Sequence, residues 1–267
     1  MIRTLHLLLF IPLLSCTPEV GDTKIIAHAG TGSGFDHPKN SREALLTALK
    51  IGAHGIEVDV QMTKDSVLVI YHDEDLQSLT SCQGLINSME RSELKQCDPA
   101  IDGHQFQILR LDSFLMEAAR SYPDAEFMLD CKLFAHGEWW PYLETYSDAL
   151  VRLNSNLTLY GKISVECMVD DFLLLIQRKN ADLPLFMYGS EIDHIIWRAA
   201  TSHYRGITCQ NRHISASEVA MAQGLGLEVT LLGTDGWWSD QRALSKDPDR
   251  LQTDSPEDLL DQGALTN

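Results

Sequence analysis

Gly55-Ile56-Glu57-Val58-Asp59-Val60 is the stretch from which the fold can be read. Its apolar and acidic residues alternate with the period of two of an extended strand, so Ile56, Val58 and Val60 share one face and Glu57 and Asp59 the other. Taken alone, the acidic pair suits an exposed face or a salt bridge with Lys132. If that face turns inward, two carboxylates need a counter-charge, and a divalent cation supplies one.

Working outward, β-rich runs alternate with amphipathic helical runs. Lys24–His28 reads as a strand, and residues 41–50 as a helix with Leu45, Ala48 and Leu49 on one stripe and Asn40 or Ser41 as N-cap. Residues 67–71 form a further strand, joined to 55–60 by the turn Lys64-Asp65-Ser66. Helices are predicted at 113–121, 142–156, 170–180, 191–204 and 215–224, and strands at 126–131, 162–167, 184–188, 206–210 and 227–232. A short strand at 250–253 precedes a terminal helix around 256–262. About eight principal strands separated by helices indicate a parallel sheet, and that number favours a closed (β/α)8 TIM barrel in the α/β class. Residues 73–110 lack the rhythm and read as an inserted segment after the third strand.

A chain of 267 residues suits one such barrel, here placed at 24–267, and leaves no comfortable room for two ordinary domains. The 38 acidic residues against 21 Lys and Arg give a net charge of −17. Such a surface repels a phosphate backbone, which excludes nucleic acid as the expected partner. Residues 1–15 read as a secretory signal, with Arg3 before the apolar run Leu7–Leu14. Leu13-Leu14-Ser15-Cys16 resembles the lipobox of bacterial lipoproteins, giving an exported chain anchored to a membrane through Cys16; an ordinary signal with a chance cysteine is the alternative. In an oxidising compartment Cys82 and Cys97 are placed to close a disulfide loop worth about 3 kcal/mol. Cys131, Cys167 and Cys209 lie in apolar strands as buried thiols, and no spacing suits zinc.

Catalytic side chains of a barrel gather at the C-terminal ends of its strands. There the sequence places His28, Glu57 and Asp59, His72 and Asp73, Asp130 and Lys132, and Glu166. An oxygen-rich acidic set suits Ca²⁺ or Mg²⁺ better than Zn²⁺.

These residues carry a resemblance. The runs Ile26-Ala27-His28-Ala29-Gly30, Pro38-Lys39-Asn40-Ser41, Gly52–Val60, Thr63-Lys64-Asp65, His72-Asp73, Met128–Lys132 and Gln252-Thr253-Asp254-Ser255-Pro256 resemble the glycerophosphodiester phosphodiesterase family across nearly the whole of residues 24–267. The resemblance implies a (β/α)8 barrel with an insertion, and metal-dependent hydrolysis of a small-molecule phosphodiester to a monoester and an alcohol. By the same resemblance His28 and His72 are the acid/base pair, Glu57, Asp59 and Asp130 the metal ligands, and Lys132 a phosphate contact. A cation neutralises the phosphate's charge and an imidazolium protonates the leaving oxygen, which answers the two obstacles to cleaving a phosphodiester. Attack by the substrate's own hydroxyl would give a cyclic phosphate, so a phospholipase-like or cyclising lyase is an alternative.

Three positions depart from the family pattern. Ala29 stands where the family has arginine, Lys39 where it has glutamate, and Asp130 where glutamate is usual. Lys39 is the expected replacement for the lost phosphate-binding cation, and Glu166 an extra ligand or substrate contact that offsets the shorter Asp130. The missing arginine also leaves open a non-catalytic envelope binding protein on the same barrel. The oligomeric state is not legible.

Overall fold

A computed structural model of the chain describes residues 21–30, 37–98 and 106–260. Eight parallel strands close into a barrel: β1 (Lys24–His28), β2 (Gly55–Met62), β5 (Glu126–Cys131), β6 (Ile163–Cys167), β7 (Leu185–Tyr188), β8 (Gly206–Gln210), β9 (Glu228–Thr234) and β10 (Arg250–Thr253). They pair in that order, and β10 closes on β1 with Ala27 opposite Thr253. Between them run α1 (Arg42–Lys50), α3 (Leu111–Ser121), α4 (Trp139–Asn154), α5 (Asp170–Lys179), α6 (Ile192–Ser202), α7 (Ala216–Gly224) and α8 (Trp237–Leu244), with α9 (Pro256–Leu260) at the end.

The strand expected at 67–71 is present as β3 (Leu68–Ile70), but it is not one of the barrel's eight. It runs antiparallel to the end of β2, with Val60 opposite Ile70 and Met62 opposite Leu68. The physical reason is the short connection: a parallel crossover needs a dozen or more residues, whereas Ser66 turns the chain at φ +62°. β4 (Leu109–Arg110) adds antiparallel to β3. The segment between them holds the short helix α2 (Arg91–Leu94) and a small core of its own, with Tyr71, Leu76, Ile86, Leu94 and Phe106 buried together. Cys82 and Cys97 are joined there by a disulfide, with Cα atoms 5.4 Å apart.

Period-two alternation divides β2 between the two cores of a barrel. Ile56, Val58 and Val60 pack in the large apolar cluster that holds Leu45, Ala48 and Phe127, while the alternate residues Glu57, Asp59 and Gln61 are equally buried. The approach of β2 to β5 is close, since a Cβ on Gly55 would lie 2.4 Å from the carbonyl oxygen of Glu126. Helix α8 lies where sequence periodicity predicts none, its buried side carrying Asp240 beside Ala243 and Leu244. Among the described residues no helix is long and apolar enough to cross a membrane. The signal, Cys16 and the last residues of the expected terminal helix lie outside the described residues.

Candidate active site at the barrel mouth

Strand register assembles the site. His28 stands opposite Glu57 across the β1–β2 ladder, Asp59 opposite Asp130 across β2–β5, and Asp130 opposite Glu166 across β5–β6. Residues paired in this way in parallel strands project side by side, so alternation on three strands brings the acids into one layer. One carboxylate oxygen from each of Glu57, Asp59 and Asp130 lies within 4.8 Å of the other two. Glu57 is 1% exposed and Asp59 2%.

Lys132 is the cation facing this group, its Nζ 2.5 Å from Asp130 Oδ2 and 3.0 Å from Asp59 Oδ1. Burial opposes the ammonium charge, but Asp130 and Asp59 outweigh it and raise the Lys132 pKa. Desolvation, reinforced by Asp59, Asp130 and Glu166, drives the Glu57 carboxyl well above the ordinary carboxylate range. Asp130 is raised chiefly by burial, with Lys132 opposing. Three buried carboxyl groups around one ammonium cannot all ionise without a further counter-charge. Glu57 Oε1 is also buried with no hydrogen-bond partner among the described residues, while Oε2 accepts from the Ala29 amide at 3.0 Å. Hard oxygen donors with a spare buried acceptor fit a divalent cation.

Asn40 organises this edge of the site. It adopts φ +62°, donates from Nδ2 to Asp59 Oδ2 at 2.6 Å and accepts the Asp59 amide at 3.3 Å. The N-cap of α1 is Ser41, whose Oγ accepts from the Ala44 amide. The loop at residues 28–30 sits hard against this helix, because a Cβ on Gly30 would fall 2.7 Å from the Ala44 carbonyl carbon. Ala29, in place of the family's arginine, is buried at φ +56°.

His72 reaches the mouth by a route other than the expected one. It follows an antiparallel strand that returns toward the barrel, and the Tyr71 amide bonds to the Asp59 carbonyl at 2.9 Å. Gln61 Nε2, from inside the barrel, donates to the carbonyls of Tyr71 and Asp73 at 3.0 and 2.8 Å and so fixes the backbone on both sides of His72. His72 Nδ1 lies 2.6 Å from Asp73 Oδ1, and His28 Nδ1 2.6 Å from Asp254 Oδ1. His28, Lys39, Asn40, Asp59, His72 and Asp73 line one cavity of about 270 Å³. A larger hollow of about 340 Å³, between Gln177 and Tyr204, contains none of the carboxylates.

Lys39 lines the cavity and is paired with Asp254, its Nζ 2.7 Å from Oδ1. Glu166 is 1% exposed and lies outside the three-acid group, accepting from Thr208 Oγ1 at 2.6 Å and from Gln252 Nε2 at 2.9 Å. It therefore neither joins the ligand set nor reaches the cavity. Burial, with help from the Asp130 charge, pushes its carboxyl up to about 8, against the pull of the two hydrogen bonds. Sequence reasoning passed over Asn40, Gln61 and Asp254 as site residues. The available signal for Asp254 was its place directly after the last barrel strand.

A model of the glycerophosphoryl diester phosphodiesterase family matches residues 31–257. A glycerophosphodiester phosphodiesterase of Caldanaerobacter subterraneus is 32% identical over 123 residues, which is 46% of this chain and 49% of that protein. One from Bacillus altitudinis is 45% identical over 76 residues, 28% and 30% of the two chains. The matched stretch thus spans about half the length of the first relative and less of the second. Among solved structures, a glycerophosphodiester phosphodiesterase from Parabacteroides distasonis superposes with a TM-score of 0.77 at 21% identity, covering 91% of this chain and 98% of that one. An Oleispira antarctica phosphodiesterase in complex with the product sn-glycerol-3-phosphate gives 0.78 at 21% identity, covering 91% and 97%. At such identities the likeness concerns the fold, whereas the family match covers most of the sequence, including Glu57, Asp59, His72, Asp130 and Asp254, and begins just after His28. The chain belongs to the glycerophosphoryl diester phosphodiesterase family.

Proposed function

We propose that this protein hydrolyses a glycerophosphodiester, or a similarly polar phosphodiester, to a phosphomonoester and an alcohol. The observation that carries the reading is that two histidines from different elements line one cavity with Asp59, each with a carboxylate on Nδ1. Each imidazole thereby presents Nε2 as its free working atom. One imidazole takes the proton of the attacker, water or the substrate's own hydroxyl, while the other donates to the leaving oxygen, and a cyclic phosphate formed by the second route is then opened by water to the monoester.

Glu57, Asp59 and Asp130 are the residues that would hold a divalent cation, with Ca²⁺ or Mg²⁺ the matching hard ions. When bound, such an ion neutralises phosphate charge and polarises the phosphorus toward attack. Lys132 shares Asp59 and Asp130 with that position and offers its ammonium to a non-bridging oxygen. Export by the signal at 1–15 and anchoring through Cys16 belong to the same proposal and rest on the sequence alone.

The test is to express residues 17–267 and assay a panel of glycerophosphodiesters by phosphorus NMR, with Ca²⁺ or Mg²⁺, with EDTA, and as His72→Ala. Monoester formation that is lost on chelation and on substitution is expected. Activity indifferent to both refutes the mechanism, and a persistent cyclic phosphate without monoester makes the protein a lyase.

A further inference from the structure

The seam where the barrel closes brings a carboxylate to His28 from the far end of the chain. Ala27 pairs with Thr253, so the next residues, His28 and Asp254, emerge side by side at the mouth. The Asp254 backbone is itself held, its amide donating to the Thr234 carbonyl at 2.9 Å. A single oxygen, Asp254 Oδ1, lies 2.6 Å from His28 Nδ1 and 2.7 Å from Lys39 Nζ. An ionised carboxylate has only lone pairs to offer, so the proton in the His28 contact sits on Nδ1. Among the described residues Nε2 then has no comparable partner, Glu57 Oε2 standing 3.8 Å away, beyond hydrogen-bond range.

We infer that Asp254 is a positioning residue that holds neutral His28 in the Nδ1–H tautomer with Nε2 presented to the cleft, and that Lys39 acts through Asp254 by fixing that carboxylate. The inference rests on the reading of His28 as a catalytic acid/base. Two further observations agree with it. Burial raises the Asp254 pKa, but the bonds and charges of His28 and Lys39 outweigh it and bring the carboxyl down to about 2, so it remains an anionic acceptor. The same atom pairing recurs at the other imidazole, where Asp73 Oδ1 stands 2.6 Å from His72 Nδ1. The lysine at position 39 thus bonds to the same carboxylate oxygen that meets His28.

The experiment has a spectroscopic arm and a kinetic arm. In protein labelled with ¹⁵N-histidine, with His28→Gln used to assign the signal, the ring nitrogens of neutral His28 are read in the full-length barrel without substrate. The Nδ1–H pattern is expected in the unsubstituted protein, and a shift toward Nε2–H in Asp254→Asn, whose amide can donate to Nδ1. On a glycerophosphodiester, Asp254→Asn should lower kcat by about 10²- to 10⁴-fold with KM within about twofold, as a wrongly held tautomer does. Lys39→Ala should lower kcat by about 3- to 10-fold at unchanged KM, with Lys39→Arg restoring it, since an indirect charge contributes less than a direct contact. An Nε2–H pattern in the unsubstituted protein overturns the inference, as does full kcat in folded Asp254→Asn. A rise in KM of about tenfold or more at constant kcat in Lys39→Ala would place Lys39 on the phosphate instead. Should no diester be hydrolysed at all, the functional reading fails, and the ¹⁵N pattern still decides the role of Asp254.

Discussion

Replacing Glu166 with glutamine should reshape the pH dependence of stability while leaving the fold intact. Glu166 is buried between Thr208 and Gln252 and keeps its proton up to about pH 8, against an ordinary value of 4.5. In the unfolded chain the same carboxyl ionises near the ordinary value. Between the two, folding requires Glu166 to hold a proton that the unfolded chain has released, so stability falls as pH rises from about 4.5 to about 8 and then levels. At about 1.4 kcal/mol per pH unit the ceiling on this loss is roughly 5 kcal/mol. Glutamine fits the same slot: its carbonyl accepts from Gln252 Nε2, and its amide donates to Thr208 Oγ1, whose hydroxyl turns to accept. Glu166→Gln is therefore expected to match the parent protein within about 1 kcal/mol near pH 5 and to exceed it by several kcal/mol near pH 9. The assay is urea unfolding in EDTA across that range, with equal m-values as the check that both unfold alike. A difference between the two proteins that stays constant within about 0.5 kcal/mol from about pH 5 to about pH 9 would show that Glu166 is ionised throughout and would refute the reasoning.

Three further predictions follow from the site and its supports. Ca²⁺ or Mg²⁺ at about a hundredfold over its Kd should stabilise the protein by about 2.7 kcal/mol, read as roughly 5–10 °C in Tm, and Glu57→Gln should abolish the shift; calorimetry showing no response to either ion excludes the cation site. His72→Ala should lower kcat by about 10²- to 10⁴-fold yet barely change Tm, because its side chain is 59% exposed; a large loss of Tm would make its role structural. Replacing Cys82 and Cys97 with serine opens a loop of sequence separation 15 and should cost about 3 kcal/mol of local stability. Limited proteolysis should then cut within residues 73–98 while the barrel persists, and unchanged protection there would show that the small core of Tyr71, Leu76 and Phe106 suffices alone.

How much was legible in the sequence depended on whether the information was local. Period two on β2 identifies both the helix-facing apolar residues and the inward acids, because alternation is a property of one strand. The reversal of β3 was also written locally, in a connection too short for a crossover, and reading the strand as one of the barrel's principal strands overlooked that limit. Helix α8 escaped notice because Asp240, 0% exposed, occupies its buried side and spoils the apolar stripe by which helices are recognised. Burial lifts that carboxyl to about 6, opposed by the hydroxyls of Thr234 and Thr253.

The remaining gaps are matters of register. That Asp130 and Glu166 both point inward follows from alternation. That one lies in the ligand group and the other outside it depends on which side chains meet each, and Thr208 and Gln252 come to Glu166 from strands two and four places further round the barrel. The contact between His28 and Asp254 spans 226 residues and exists only because β10 closes on β1 with Ala27 opposite Thr253. A slip of one residue at that seam would turn Asp254 to the other face of the sheet and remove the acceptor from His28 without altering any local pattern. The alternation of each strand thus selects which residues can take part in the chemistry, while closure of the barrel decides which of them meet, and the partner of Lys39 emerges only once the seam is drawn.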